Sequence, residues 1–191
     1  VGRRFNTLLS QNHLLVFAKV PKSGANKTRL IPALGAEGAT NVYRQLVERT
    51  LRQVQTLANK QIYHTTLCFT GGSIIEARAA FGASWTFQEQ SGASLGDRLQ
   101  HAVGSAFESG AQRVVVIGTD CPTLTSEDLH KALAQLENHD VVIGPALDGG
   151  YYLIGLRADQ ASLFADVDWS TAVVFEQTMQ KAHSLNLSVH V

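Results

Sequence analysis

Val114-Val115-Val116-Ile117-Gly118-Thr119-Asp120-Cys121-Pro122 decides the fold. Four β-branched residues in succession, with no polar alternation, are the pattern of a strand covered on both faces rather than one. Gly118 to Pro122 supplies the turn residues that stop it. Thr125 and Asp128 then stand at capping-box spacing ahead of Leu129, Ala132, Leu133 and Leu136, so the unit reads strand, loop, helix.

The same grammar extends in both directions. Leu14 to Ala18 is a second continuous apolar run, followed by a Pro- and Gly-containing loop and an amphipathic helix expected over 36–58, with Val42, Tyr43, Leu46, Leu51, Val54 and Leu57 on one side. Tyr63 to Phe69 predicts a strand, a short helix runs to Phe81, and Trp85 to Gln88 predicts another strand. Ser94 to Phe107 predicts a helix with Ser94 and Asp97 as its capping pair. Asp140 to Gly144, Tyr151 to Leu156 and Leu187 to Val191 read as further strands, and Ser170 is expected to cap a helix reaching about Leu185. Such alternation predicts an α/β fold, a mainly parallel sheet with helices on both faces.

Composition narrows the setting. No linker or repeat divides the 191 residues, so a single domain over 1–191 is expected. Sixteen basic residues balance sixteen acidic ones, which gives no global field for nucleic acid or an anionic membrane. No apolar run approaches the ~20 residues that span a bilayer. Cys68 and Cys121 match no metal spacing and are too few for a disulfide scaffold, so a reducing cytoplasm is the simplest expectation.

In an open α/β sheet, ligands gather beyond the carboxyl ends of the strands, and three segments qualify. The first, Lys19 to Arg29, carries Lys19, Lys22, Lys27 and Arg29 directly after a buried strand. It reads equally as an anion site or as a solvated basic loop; Pro21 and Asn26 occupy positions where a P-loop needs glycine, which excludes a Walker nucleotide hydrolase. The second is Gly118 to Pro122, with Asp120 at its centre. A carboxylate beside a dry strand needs a partner, and Mg²⁺, which takes one or two carboxylates and fills its shell with water and phosphate oxygens, is one candidate. A plain turn residue ahead of Pro122 is the other. The third is Asp148-Gly149-Gly150-Tyr151-Tyr152, whose Asp148-Gly149-Gly150 is either an ordinary hairpin turn or a place where backbone approaches a ligand while Asp148 orients an acceptor hydroxyl or supports a metal shell. Asp97 reads as a cap, Cys121 as a packing residue, and the seven histidines show no ligand spacing.

Phe17-Ala18-Lys19, Pro21, Gly24, Lys27-Thr28-Arg29-Leu30, Gly118 to Leu124, Gly144-Pro145-Ala146 and Asp148 to Leu156 together resemble the DUF2064 family, and Asp166 to Thr171 matches a further block. The resemblance implies a three-layer, Rossmann-like GT-A fold akin to nucleotide-diphospho-sugar transferases and to the phospholactate and molybdopterin-cofactor guanylyltransferases. It implies a metal-dependent transferase. Asp120 would hold Mg²⁺ or Mn²⁺ and act in catalysis with Asp148, while Lys19, Lys27, Arg29, Gly118, Thr119, Gly149 and Gly150 would meet the phosphates or nucleotide. The substrates implied are a nucleotide sugar, or an NTP in a nucleotidyltransferase, with a small-molecule acceptor; a non-catalytic nucleotide-binding module is the third option. Ser23 and Asn26 depart from the family's usual Pro and Val, and the family continues past Val191 into an acidic segment expected to hold a second metal ligand.

Overall fold

The computed structural model describes residues 11–58 and 63–191. Seven strands form one sheet: β1 Asn12–Lys19, β2 His64–Thr70, β3 Thr86–Glu89, β4 Arg113–Ile117, β5 Val141–Pro145, β6 Tyr151–Leu156 and β7 Val189–His190, in the spatial order β3-β2-β1-β4-β6-β5-β7. Five helices accompany them: α1 Ile31–Ala58, α2 Ile74–Phe81, α3 Leu95–Glu108, α4 Ser126–Gln135 and α5 Val174–Ser184. Every pairing is parallel except those of β6, which runs against both β4 and β5.

Burial explains the unbroken apolar runs. Leu14, Val16, Val115 and Ile117 pack under α1, α2 and α4, while Leu15, Val114 and Val116, their immediate neighbours in sequence, pack under α3 and α5. Successive side chains of one strand thus enter two different cores, and Leu14 to Val16 and Val114 to Ile117 leave no position for a polar residue to face water.

Local rules set the helix starts. Ser73 with Glu76, Ser94 with Asp97 and Thr125 with Asp128 all form reciprocal capping boxes. α1 is broken at Gly35 (φ 71°, ψ 167°), so its long amphipathic stretch starts at Ala36 as expected from the sequence. The expected cap at Ser170 is not formed. Ser170 lies in a turn at φ 66°, and α5 begins at Val174 after Val173, which gives no side-chain cap. The strand expected over 85–88 is shifted to Thr86–Glu89, and the last strand is confined to Val189–His190.

The sheet order reverses between β1 and β4, which are neighbours although the chain visits β2 and β3 between them. At such a switch point the connecting loops leave on opposite faces and open a crevice beyond the strand ends. Lys19 ends β1 and Gly118 follows β4, so the basic loop and the Asp120 turn flank this crevice. The reversed strand β6 begins there as well, delivering 146–150 to the same end of the sheet.

Candidate active site

The loop after β1 is built by its own side chains. Asn26 is 4% exposed, and its Oδ1 accepts the Lys22 N–H at 2.6 Å, while Ala25 N–H closes a turn onto the Lys22 carbonyl at 3.0 Å. Asn26 therefore supplies internally the shape that glycines supply in a P-loop. The four cations separate. Lys22 pairs with Glu76 at 2.9 Å, and Lys19 lays its stem along Gly71 and donates its ammonium to the Ala25 carbonyl at 3.0 Å. Lys27, in a left-handed conformation at φ 49°, places its Nζ 3.0 Å from Asp120 Oδ1. Arg29 reaches a cleft lined also by Gly118, Asp148 and Gly150.

Asp120 is not buried: its side chain is 66% exposed, although the strand before it is dry. The turn holding it is fixed from below by α1. Tyr43 stands between the ends of β1 and β4; its hydroxyl accepts the Lys19 N–H at 2.8 Å and meets Thr119 Oγ1 at 3.4 Å. Burial pushes the Tyr43 phenol above its ordinary value, the bonds from Thr119 and Lys19 act in the other direction, and the charge of Asp120 raises it again. It remains a neutral brace. Arg49 Nε donates to the Pro122 carbonyl, and Gln53 Oε1 accepts the Ser126 N–H at 3.1 Å.

Two adjoining cavities border this turn. One, about 490 Å³, is walled by Phe17, Arg29, Leu95, Tyr151, Trp169 and Thr171; the other, about 590 Å³, by Asp120, Pro122, Thr123, Pro145, Leu147 and Tyr152. Gly118, Asp148 and Gly150 line both. A larger cavity of about 890 Å³ lies between α1 and α2, where Lys22 and Glu76 neutralise each other. Burial of Tyr151 pushes its phenol up to about 12, so it presents to the cleft as an uncharged aromatic wall with Trp169 edge-on at 6.2 Å.

The residues picked from sequence divide. Arg29, Gly118, Asp120, Asp148 and Gly150 border the two cavities, and Lys27 joins them through Asp120. Lys19, Thr119 and Gly149 are engaged internally. Thr119 is 4% exposed with its hydroxyl on Tyr43. Gly149 has φ 84°, a Cβ there would meet the Ala172 carbonyl at 2.0 Å, and its own carbonyl takes the Phe175 N–H at 2.9 Å, so its need for glycine is met by the chain itself. Gly118 is the opposite case, since its φ is ordinary and a Cβ would meet nothing within 4 Å. Asp148 forms an Asx turn, Oδ1 accepting the Gly150 N–H at 3.1 Å. Gln90 bridges strand ends, donating to the Cys68 carbonyl at 2.7 Å, and Asp97 is a cap. Sequence reasoning missed Tyr43, whose helical spacing marks it only as core, and it gave no role to Tyr151 of the third segment or to Trp169, which form an aromatic wall.

Residues 51–171 match the family described as an uncharacterised protein conserved in bacteria, DUF2064. The chain belongs to this family. The DUF2064 chain is 35% identical to a crystal structure from Desulfovibrio desulfuricans G20, provisionally assigned as a nucleotide-diphospho-sugar transferase; the two superimpose with a TM-score of 0.89, covering 95% of this chain and 79% of the other. Two more distant structures share the fold. A 4-diphosphocytidyl-2C-methyl-D-erythritol synthase from Anaerococcus prevotii DSM 20548 is 10% identical, with a TM-score of 0.60 over 95% of this chain and 88% of its own. A nucleotidyl transferase from Methanothermobacter thermautotrophicus is 16% identical, with a TM-score of 0.58 over 93% and 85%. No curated protein matches the chain. Among the described residues no helix is long and apolar enough to cross a membrane.

Proposed function

We propose that this protein is a transferase that uses a nucleotide-activated donor, with glycosyl transfer from a nucleotide-diphospho-sugar as the leading reaction. The observation that carries the reading is the meeting of Lys27 with Asp120 at the switch point, beside a cleft reached by Arg29 and Asp148. Family membership and the Desulfovibrio relative support it.

The donor set fits Mg²⁺ or Mn²⁺ only as a single-carboxylate site. Among the described residues no group of three or more metal-ligating side chains exists, and Asp120 offers one exposed carboxylate with Lys27 on Oδ1. That suffices for an ion that keeps most of its waters and takes its other ligands from a diphosphate. Asp120 would hold it, and when bound it would supply neutralisation of charge growing on the leaving phosphates. Lys27 and Arg29 would bear on the same oxygens as fixed cations. Gly118 would let the donor approach the end of β4. In the leading reaction the anomeric carbon–oxygen bond to the diphosphate breaks, a bond to the acceptor oxygen forms, and Asp148 takes the acceptor's proton as the nucleoside diphosphate leaves.

Nucleotidyl transfer is the second reading, favoured by the fold shared with the cytidylyl- and nucleotidyl-transferring structures. There a phosphorylated acceptor attacks the α-phosphate of an NTP and pyrophosphate departs. Product analysis separates the two: release of nucleoside diphosphate from a nucleotide sugar supports the first, and pyrophosphate from an NTP supports the second. Absence of Mg²⁺-dependent binding to any nucleotide or nucleotide sugar in calorimetry would overturn both.

A further inference from the structure

At the end of the sheet opposite Asp120, His13 on β1 and His64 on β2 stand in direct register on adjacent parallel strands. Their ring centroids are 5.0 Å apart and tilted by 50°. His13 is 5% exposed and His64 is half-buried. Both rings border a cavity of about 360 Å³ of mixed lining, with Leu15, Phe87 and Ala106 beside the polar groups of Thr66, Thr86, Gln88, Ser105 and Ser109. No carboxylate or cation lines it.

From this arrangement we infer that His13 and His64 form a two-imidazole site for a divalent transition-metal ion of the Zn²⁺ or Ni²⁺ class, separate from the Asp120 cleft. Neutral imidazole is the preferred protein ligand for these ions. Two imidazoles on one tetrahedral ion, at metal–nitrogen lengths of about 2.0–2.1 Å, set their ring centres about 5 Å apart, as observed. Ser105 and Ser109 belong to the last turn and C-cap of α3, whose helix end carries partial negative charge and favours a cation. Water would complete the shell from the cavity. The inference is independent of the transferase reading, because it uses none of the same residues.

The test is calorimetry of the full chain, stripped with EDTA and dialysed, titrated with ZnCl₂ or NiCl₂ at pH 7.5. One equivalent is expected at this site, with affinity falling at least tenfold in His64→Gln and binding lost at pH 5, where imidazoles protonate. A second pair, His139 and His190 at 5.2 Å, is the competitor, since the contact of His139 Nδ1 with the Gln135 carbonyl at 3.0 Å leaves Nε2 for a metal. His190→Gln separates the two pairs, and binding at the His13–His64 site requires that it bind as the parent does. Paramagnetic Ni²⁺ should broaden the His13 and His64 ring resonances of the unmodified protein, which reads the site without any variant. Binding unchanged in His64→Gln, or no broadening at these two rings, would overturn the proposal.

Discussion

Lys27 Nζ sits 3.0 Å from Asp120 Oδ1, joining the loop after β1 to the turn after β4 across the sheet's switch point. Asp120 is exposed and Lys27 half-buried, so solvent screens the pair and its contribution to folding is small, on the order of 0–1 kcal/mol. Its meaning is local: each charge holds the other in place at the mouth of the cleft. Asp120→Asn should leave the urea midpoint almost unchanged while abolishing Mg²⁺-dependent nucleotide binding measured by calorimetry. Full retention of metal-dependent binding would remove Asp120 from the metal site.

Gly118 and Gly149 make opposite demands. Alanine at Gly118 meets open space, so stability should stay within about 0.5 kcal/mol of the parent. Donor affinity should nevertheless fall by at least about tenfold, or roughly 1.4 kcal/mol. Alanine at Gly149 combines a positive φ with a collision against the Ala172 carbonyl, and should cost about 2–4 kcal/mol. Chemical denaturation paired with ligand titration checks both, and equal stability of the two variants would contradict the geometry.

Tyr43→Phe removes the acceptor for the Lys19 N–H and the partner of Thr119 at one stroke. A loss of about 1–3 kcal/mol is expected, since a partly buried amide is left unpaired. Because Tyr43 spans the ends of β1 and β4, turnover on the cleft should fall by more than the unfolded fraction explains. A variant that loses stability but keeps full turnover per folded molecule would make Tyr43 a core residue only.

His13 gives a pH dependence of known sign. Its folded-state pKa lies below the ordinary 6.5, so below that value the unfolded chain binds more protons than the folded one. Stability should therefore decline as pH falls through about 6.5 and level off once the folded-state histidine also protonates. The hydrogen-bonded carboxylates Glu76, Asp97 and Asp140 have lowered pKa values and act only at more acid pH. Urea midpoints at pH 7.5 and 5.5 in EDTA should differ less in His13→Gln than in the parent.

The elements were legible where one physical cause dominated. Val114 to Ile117 announced a doubly covered strand because both neighbouring cores demand apolar side chains, and Thr125 with Asp128 announced a cap because the bonds involved are local. Ser170 misled because its backbone is left-handed at φ 66°, whereas a capping residue is extended, and the turn that includes it delays α5 to Val174. The direction of β6 left no mark, since apolar residues between two strands look alike whichever way the chain runs. The cleft was half legible. Asp120, Arg29 and Asp148 could be found from their place after strands, but Lys19 gives its ammonium to the Ala25 carbonyl and Thr119 points inward onto Tyr43, a partner far away in sequence.

The reversed strand β6 gives the fold an asymmetric capacity for divergence. The turns after β1 and β4 feed helices whose orientation depends on them, so their length is constrained. Residues 146–150 instead cap a hairpin whose legs are already fixed in register from Val141↔Leu156 to Gly144↔Leu153. Gly149 is moored to α5 through the Phe175 N–H and to Ala146 through its own N–H, which leaves Leu147, wholly exposed, as the permissive position of the tip. Insertions or exchanges there can reshape one wall of the cleft without disturbing the sheet, so relatives that differ in what they accept should differ first at this tip.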